Sequence, residues 1–232
     1  SHFVSSQSAK NRVVSLGEHP DRVFIIGSPE LDTHKAKKAI SLADVIAYYE
    51  ILWEEFGVFI FHSVTSELKD LKEHLENIFS ALKRTKKNFV IIAPNNDPGS
   101  EMIFKEINKL PSERFKVIPS MRFSYFSILL KNAKLLIGNS SAGVREAPFL
   151  GTPSINIGSR QKNRAFSKSV TNYSYQSDPS LDKLIEKKWG NKHLSDKSFG
   201  SGNSSKKFIK ILDQKKVWSL KTQKTFFEKS KS

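Results

Sequence analysis

The chain has 232 residues, with 38 Lys and Arg against 23 Asp and Glu, a formal net charge of +15 and no cysteine. Without cysteine neither a disulfide framework nor a thiolate metal site is open to it, which fits a reducing compartment, read here as the cytoplasm. No apolar run approaches the roughly 18 residues needed to span a bilayer, and the start, SHFVSSQSAK, lacks the basic and apolar regions of a signal peptide.

Taken in order, Ser1 to Val4 reads as the end of a strand and Ser8 to Leu16 as a helix ended by Gly17. Val23 to Ile26 is a buried strand followed by a Gly27-Ser28-Pro29 turn, after which Asp32 caps a short basic helix. Ser41 to Phe56 places Leu42, Val45, Ile46, Tyr49, Leu52 and Trp53 at helical spacing, which predicts a helix buried on one face and stopped by Gly57. Val58 to Phe61 is an apolar strand with His62 at its end. Ser66 to Arg84 is again an amphipathic helix with a basic carboxyl end. Asn88 to Ala93 is a strand that runs into Pro94, Asn95 and Asn96; a helix follows over Ser100 to Lys109, a strand over Phe115 to Ile118 and a helix over Ser124 to Asn132. Strands alternating with helices predict an α/β fold, a Rossmann-like doubly wound parallel sheet with helices on both faces.

The densest signal is Leu135 to Arg164. Leu135 to Ile137 is a short strand, and Gly138, Asn139, Ser140 and Ser141 bring small side chains, hydroxyls and backbone N–H groups to the start of a helix expected over Val144 to Leu150. Such a start is a natural anion site. Gly151 and Pro153 end that helix, Ser154 to Ile157 returns as a strand, and Arg160, Lys162 and Arg164 follow on a loop, so that phosphates can be held between the turn and the cations. Glu146 lies near the same helix start, where a carboxylate can accept from ribose hydroxyls. The same punctuation also serves any parallel α/β unit. It matches neither the dinucleotide fingerprint nor a Walker loop, and no cluster has metal-ligand spacing, so no cofactor is expected.

After Arg164 the pattern weakens. Ser167 to Ser177 is polar without a clear period, Pro179 to Lys188 reads as a helix beginning near Ser180, and Lys206 to Leu212 as another. Lys206 to Ser232 holds nine lysines and two acids, about half of the charge excess. The charge therefore reads as a solvated surface plus a small anionic ligand, rather than as a nucleic-acid footprint. Trp218, Phe226 and Phe227 are too apolar for a linker and are expected to dock on a surface outside this chain.

Two further positions stand at strand ends, which in parallel sheets point at the ligand crevice. His62 in F-H-S-V-T can meet a diphosphate or act as an acid or base near neutral pH; the other five histidines read as structural or exposed. Asn95 and Asn96, in A-P-N-N-D, are also ordinary turn residues.

The run GNSSAGVREAPFLGTPSINIGSRQKNR closely resembles the signature of the UDP-N-acetylglucosamine 2-epimerases. Its "NSS…RE…GTP.IN.G.RQ" form looks like the hydrolysing branch, which releases N-acetylmannosamine for sialic-acid-type sugars. The resemblance extends back through APNNDPGS, FHSVTSE and GSPELD to SHFVSS. It implies a catalytic or substrate-contacting His62, a substrate contact at Asn95, diphosphate and ribose contacts at Ser140, Ser141 and Glu146, a nucleotide or phosphate ligand in Arg160, and a close backbone approach to substrate at Gly27. The family often has Gly where this chain has Asn163. Resembled enzymes are two Rossmann-like domains in a GT-B-like arrangement, commonly oligomeric, whose N-terminal domain brings acidic catalytic groups. None of those precedes Ser1. The resemblance thus casts residues 1–20 as the end of a preceding domain or a junction, 21–213 as the UDP-sugar-binding domain and 214–232 as a basic tail. It implies a homo-oligomer acting on a UDP-sugar, without nucleic acid or membrane. A glycosyltransferase donor domain and a non-catalytic sugar-nucleotide binder share these features. The sugar, N-acetylglucosamine or a diacetamido derivative, and a guanine-linked donor stay open; the base-reading surface is expected within Ile118 to Phe123.

Overall fold

Central segments such as Val58–Ile60 and Phe89–Ile92 are apolar at successive positions, as a sheet covered on both faces requires. In the computed structural model, which describes residues 1–36, 39–164, 167–175 and 180–227, the chain divides into two units, Ser1–Lys37 with Lys197–Ser232, and Lys38–Asp196.

The first unit opens with β1 (His2–Val4), α1 (Gln7–Ser15), β2 (Val23–Ile25) and α2 (Glu30–Lys35). The two strands pair in parallel, His2 with Val23 through Val4 with Ile25, as a sheet of their own. The junction expected at residue 20 therefore runs between two paired strands.

The second unit begins with α3 (Leu42–Tyr48), capped by a reciprocal Ser41–Asp44 box, and continues with β3 (Gly57–Ile60), α4 (Leu71–Arg84), β4 (Phe89–Ile92), α5 (Ser100–Ile107), β5 (Phe115–Ile118), α6 (Phe123–Asn132), β6 (Leu136–Gly138), α7 (Glu146–Phe149), β7 (Ser154–Ile157), β8 (Val170–Tyr173) and α8 (Leu181–Lys188). Six parallel strands lie in the order β5-β4-β3-β6-β7-β8. The order runs outward in both directions from a switch between β3 and β6, the doubly wound arrangement expected from the sequence. Alternation along each strand splits the core. Phe59, Phe89, Ile91, Ile137 and Ile155 pack with the α4, α5 and α8 residues Leu75, Phe79, Ile103 and Ile185; Val58, Ile60, Val90 and Leu136 pack with Val45, Phe126, Leu129 and Leu130 of α3 and α6. Each fully buried side chain of this size contributes roughly 1.5–3 kcal/mol.

Three local expectations change. The helix expected over 41–56 stops at Tyr48, because Glu50 takes φ 50° and the N–H groups of Glu50 and Ile51 return to the carbonyls of Ala47 and Ile46, a Schellman closure with a non-glycine left-handed residue. Leu52, placed on the buried face by periodicity, is consequently 75% exposed. The polar stretch after Ser167 contains the edge strand β8, whose half-covered residues leave no apolar run to read. The expected helix over 144–150 is a 3₁₀ turn, Ser141–Gly143, followed by the four-residue α7; Arg145 leaves helical geometry and Pro148 has no N–H to continue a ladder.

The first unit resumes with α9 (Ser204–Leu212) and α10 (Lys215–Trp218). Asp32 on α2 accepts from the N–H groups of Ser204 and Ser205 at 2.8 Å, capping α9 from across the unit and holding its own carboxyl below the usual range. Of the tail aromatics, Phe226 lies over Gly17, where φ of 95° and the missing side chain leave room for the ring, and the Phe227 N–H donates to the Gly17 carbonyl at 2.8 Å, while Phe226 and Trp218 stay largely exposed. No described helix is long and apolar enough to cross a membrane.

Candidate functional site

The switch between β3 and β6 brings the two most distinctive loops of the second unit together, because Ile60 at the end of β3 pairs with Gly138 at the end of β6. Gly138 sits at φ 137°, and a Cβ there would lie 1.8 Å from the Ile60 carbonyl oxygen; only glycine lets the chain leave the sheet at this point. Asn139, which follows, is 1% exposed and clamps the other loop. Its Oδ1 accepts from the His62 N–H at 2.8 Å, while its Nδ2 donates to the His62 carbonyl at 2.7 Å. The position of the imidazole is therefore set by the residue that begins the turn.

Past Asn139 the backbone turns so that Ala142 N donates to Ser140 Oγ at 3.3 Å, and the N–H groups of Gly143, Val144 and Arg145 are taken by the carbonyls of Ser140 and Ser141. The N–H groups of Ser140 and Ser141 themselves are engaged by no other group among the described residues. Since the turn is one 3₁₀ turn and not a long helix, its attraction for an anion rests on these two N–H donors rather than on a macrodipole. Arg160 adds charge at the same place. Its Nη1 donates to the Asn139 carbonyl at 3.2 Å, beside Gln161 Nε2 on the same oxygen at 3.1 Å. Arg164 reaches Gln161 Oε1 at 3.4 Å, so it supports the loop from behind, while Lys162 is exposed. Asn163, where the resembled family often has Gly, takes φ 61°. That left-handed conformation is free for Gly and tolerated by Asn, which explains why either residue serves.

On the imidazole side, His62 Nδ1 lies 3.1 Å from Asn95 Oδ1, and Asn95 Nδ2 donates to Asp97 at 2.7 Å. An ionised carboxylate only accepts, so Asp97 fixes which way the Asn95 amide points. Asn95 Oδ1 is then left facing Nδ1, which the Asn95 backbone N–H also approaches at 3.5 Å. Burial and then the Arg160 guanidinium hold the imidazole below the ordinary histidine range, against the opposing pull of the Asn95 hydrogen bond and the Asp97 charge. Neutral at pH 7, it can accept a proton or donate through a bound water.

Beyond the turn, a cavity of about 220 Å³ is lined by Ser140, Ser141, Ala142 and Glu146 on one side and by Ile60, Ile92, Met121, Phe123 and Phe126 on the other. Met121 and Phe123 fall within the segment expected to read a base. Their loop is held by Arg122, whose N–H donates to the Tyr49 hydroxyl at 3.2 Å and whose guanidinium lies over the rings of Tyr48 and Tyr125. Two larger hollows, of about 390 and 510 Å³, lie in the first unit beside the tail; neither is lined by residues of the β3–β6 switch.

The structure thus gathers His62, Asn95, Ser140, Ser141, Glu146 and Arg160 in one unit around one switch point. Gly27 belongs to the first unit. At φ 93° its missing side chain makes room for Phe199 and Gly200, 3.2 Å from where a Cβ would stand, and Ser28 N donates to the Phe199 carbonyl. What approaches Gly27 here is the chain's own backbone. Sequence reasoning did not assign Asn139, Asp97 or Gln161 a role. Asn139 and Gln161 lay inside the quoted signature, and their polarity beside apolar strands was the available sign. Among the described residues no three His, Cys, Asp or Glu converge on a possible metal position.

The family model described as UDP-N-acetylglucosamine 2-epimerase matches residues 1–213. A UDP-N-acetylglucosamine 2-epimerase of Neisseria meningitidis serogroup B is 37% identical over 230 residues, covering 98% of this chain and 61% of that protein. The Escherichia coli polysialic acid biosynthesis protein P7 is 32% identical over 172 residues, 73% of this chain and 44% of that one. A Campylobacter jejuni GDP/UDP-N,N'-diacetylbacillosamine 2-epimerase (hydrolyzing) is 30% identical, covering 81% and 50%. The chain spans about half to three fifths of the length of these relatives. Among solved structures, Methanocaldococcus jannaschii UDP-GlcNAc 2-epimerase in complex with UDP-GlcNAc and UDP superposes with a TM-score of 0.69 at 20% identity, over 90% of this chain and 60% of that one, a likeness of fold.

Proposed function

Because the chain belongs to the UDP-N-acetylglucosamine 2-epimerase family, we propose that its second unit binds the UDP portion of a UDP-sugar in a cytoplasmic, hydrolysing 2-epimerase. The observation that supports this most is the convergence of two unengaged N–H groups, at Ser140 and Ser141, with the Arg160 guanidinium on either side of Asn139, next to a neutral imidazole. A diphosphate needs just such a set of donors plus charge. Glu146 is positioned for the ribose, and the apolar cavity past it for the base.

In the reaction proposed, a base removes the proton from C2 of the sugar while the C1–O bond to the diphosphate breaks, giving UDP and a glycal. Water then adds, hydroxyl to C1 and a proton to the opposite face of C2, releasing N-acetylmannosamine or a related acetamido sugar. The departing diphosphate accumulates negative charge, and preformed donors at the turn and Arg160 lower the cost of that step. His62 serves the diphosphate oxygen or a proton transfer. Asn95 fixes the ring and lies where it can touch the sugar. In the resembled enzymes the carboxylates for the C2 proton come from a further domain, so this chain alone binds UDP weakly and turns over little.

The test is to incubate the chain with UDP-N-acetylglucosamine, with and without a carboxylate-bearing N-terminal half, and follow products by proton NMR. Free N-acetylmannosamine and UDP in the combined sample support the reading. UDP-N-acetylmannosamine would instead mark the non-hydrolysing reaction, and transfer to an acceptor a glycosyltransferase. Rapid release of free sugar by the chain alone would contradict the assignment of the base to another domain.

A further inference from the structure

We propose that Glu67 is a positioning residue which, through Ser159, holds Arg160 at the diphosphate turn; the inference rests on the diphosphate reading above. Glu67 closes the 3₁₀ turn Thr65–Glu67, five residues beyond His62. Its carboxylate accepts from the Ser159 hydroxyl, 92 residues further along the chain. Gly158, at φ 72°, lays its open side against the same place, 3.6 Å from Glu67 Oε2 and 3.4 Å from the Tyr175 hydroxyl when a Cβ is placed there.

On its far side the loop is tied to Asn139, whose carbonyl takes both Arg160 Nη1 and Gln161 Nε2. Residues 159–161 are thus stretched between a carboxylate that follows β3 and a carbonyl that follows β6. One neutral carbonyl shared by two donors is a modest anchor for a guanidinium. A second tether is what keeps the side chain from sampling solvent. Glu67 provides it without neutralising the charge, since no ion pair joins Glu67 to Arg160 among the described residues. Had the carboxylate met the guanidinium directly, it would compete with a phosphate. Directed at Ser159, it leaves the cation free. Because Glu67 and His62 share one short segment, the same tether also registers Arg160 against the imidazole.

Ser159→Ala breaks the link without changing any charge, and it is the primary variant. Proton NMR of His62 in the ligand-free chain reports Arg160 directly, because the guanidinium helps to depress the imidazole. Loosening the loop should move the His62 titration midpoint upward, and Ser159→Ala should weaken UDP binding by about tenfold, roughly 1.4 kcal/mol, while leaving uridine binding unchanged. Glu67→Ala should weaken UDP similarly, Glu67→Gln should restore most of the loss by keeping an acceptor, and Ser159→Ala added to Arg160→Ala should cost nothing more. Thermal unfolding of each variant checks that the fold persists. If the wild-type chain binds UDP and Ser159→Ala leaves both UDP affinity and the His62 titration unchanged, the positioning role is refuted. If the wild-type chain does not bind UDP, the diphosphate reading fails, and the His62 titration still decides whether Glu67 and Ser159 place Arg160.

Discussion

The two sides of the candidate site are built from different materials. The turn over Gly138 to Ser141 is backbone work: it starts on the buried Gly138, a glycine that no side chain can replace, and Asn139, and ends on the half-buried Ser140 and Ser141, whose donors do not titrate. The His62 side is a chain of side chains, His62 to Asn95 to Asp97, of which Asn95 and Asp97 are exposed, and its titratable imidazole is held below the ordinary histidine range. Asn139 belongs to both, since its backbone starts the turn and its side chain holds the His62 backbone. The division suits the proposed site, with fixed dipoles for the diphosphate and a tunable imidazole for a proton beside it.

Mutations that separate the two sides should differ in kind as well as size. The largest effect belongs to Gly138→Ala. A Cβ 1.8 Å from the Ile60 oxygen, on a backbone that side chains avoid, must push β6 from β3, costing upwards of about 3 kcal/mol and leaving little folded protein; chemical denaturation measures this. Next comes Arg160→Ala. Losing a charge-assisted contact should weaken UDP binding by about 10–100-fold in calorimetry with no change in unfolding midpoint, because the guanidinium is tied to the fold by a single carbonyl.

Asn95→Asp acts on the other side alone. A carboxylate against Nδ1 favours the imidazolium, so the His62 midpoint should rise by about one unit or more, read by proton NMR, with the turn undisturbed. The smallest effect is that of pH on stability. His62 is depressed in the folded state, so above the ordinary histidine range both states are neutral and nothing is gained or lost. As pH falls below that range the unfolded chain binds the proton first, and stability declines until the folded pKa is passed. Denaturant titrations between pH 7 and 5 should show this decline, and His62→Asn should flatten it.

Much of the second unit was legible in the sequence because its signals are local and repeated. Val58 to Phe61 and Phe89 to Ile92 are apolar without interruption, and α4 carries its stripe over fourteen residues. What escaped was decided by partners far away in sequence. Helix α3 ends where a Schellman closure forms on Glu50, a residue with no special claim to the left-handed region. Strand β8 is an edge with one covered neighbour, so polar residues suit it. Phe226 looked unpartnered because its partner is the empty side of Gly17. At the site, residue types and strand ends pointed to His62, Ser140, Ser141, Glu146 and Arg160, and the family resemblance to Asn95, but the clamp by Asn139 joins positions 77 apart and has no periodic signature. The anion site was placed at a helix start; the structure makes it a single turn whose donors are two particular amides.

Those amides offer the most direct test. In a proton–nitrogen correlation spectrum of the labelled chain titrated with UDP, the Ser140 and Ser141 N–H signals should move furthest and saturate together with the Arg160 side-chain Nε–H, whereas uridine should shift residues lining the Met121 and Phe126 cavity and leave the two amides in place. If UDP saturates the chain while the Ser140 and Ser141 amides stay still, the diphosphate is held elsewhere and the account of this turn is contradicted.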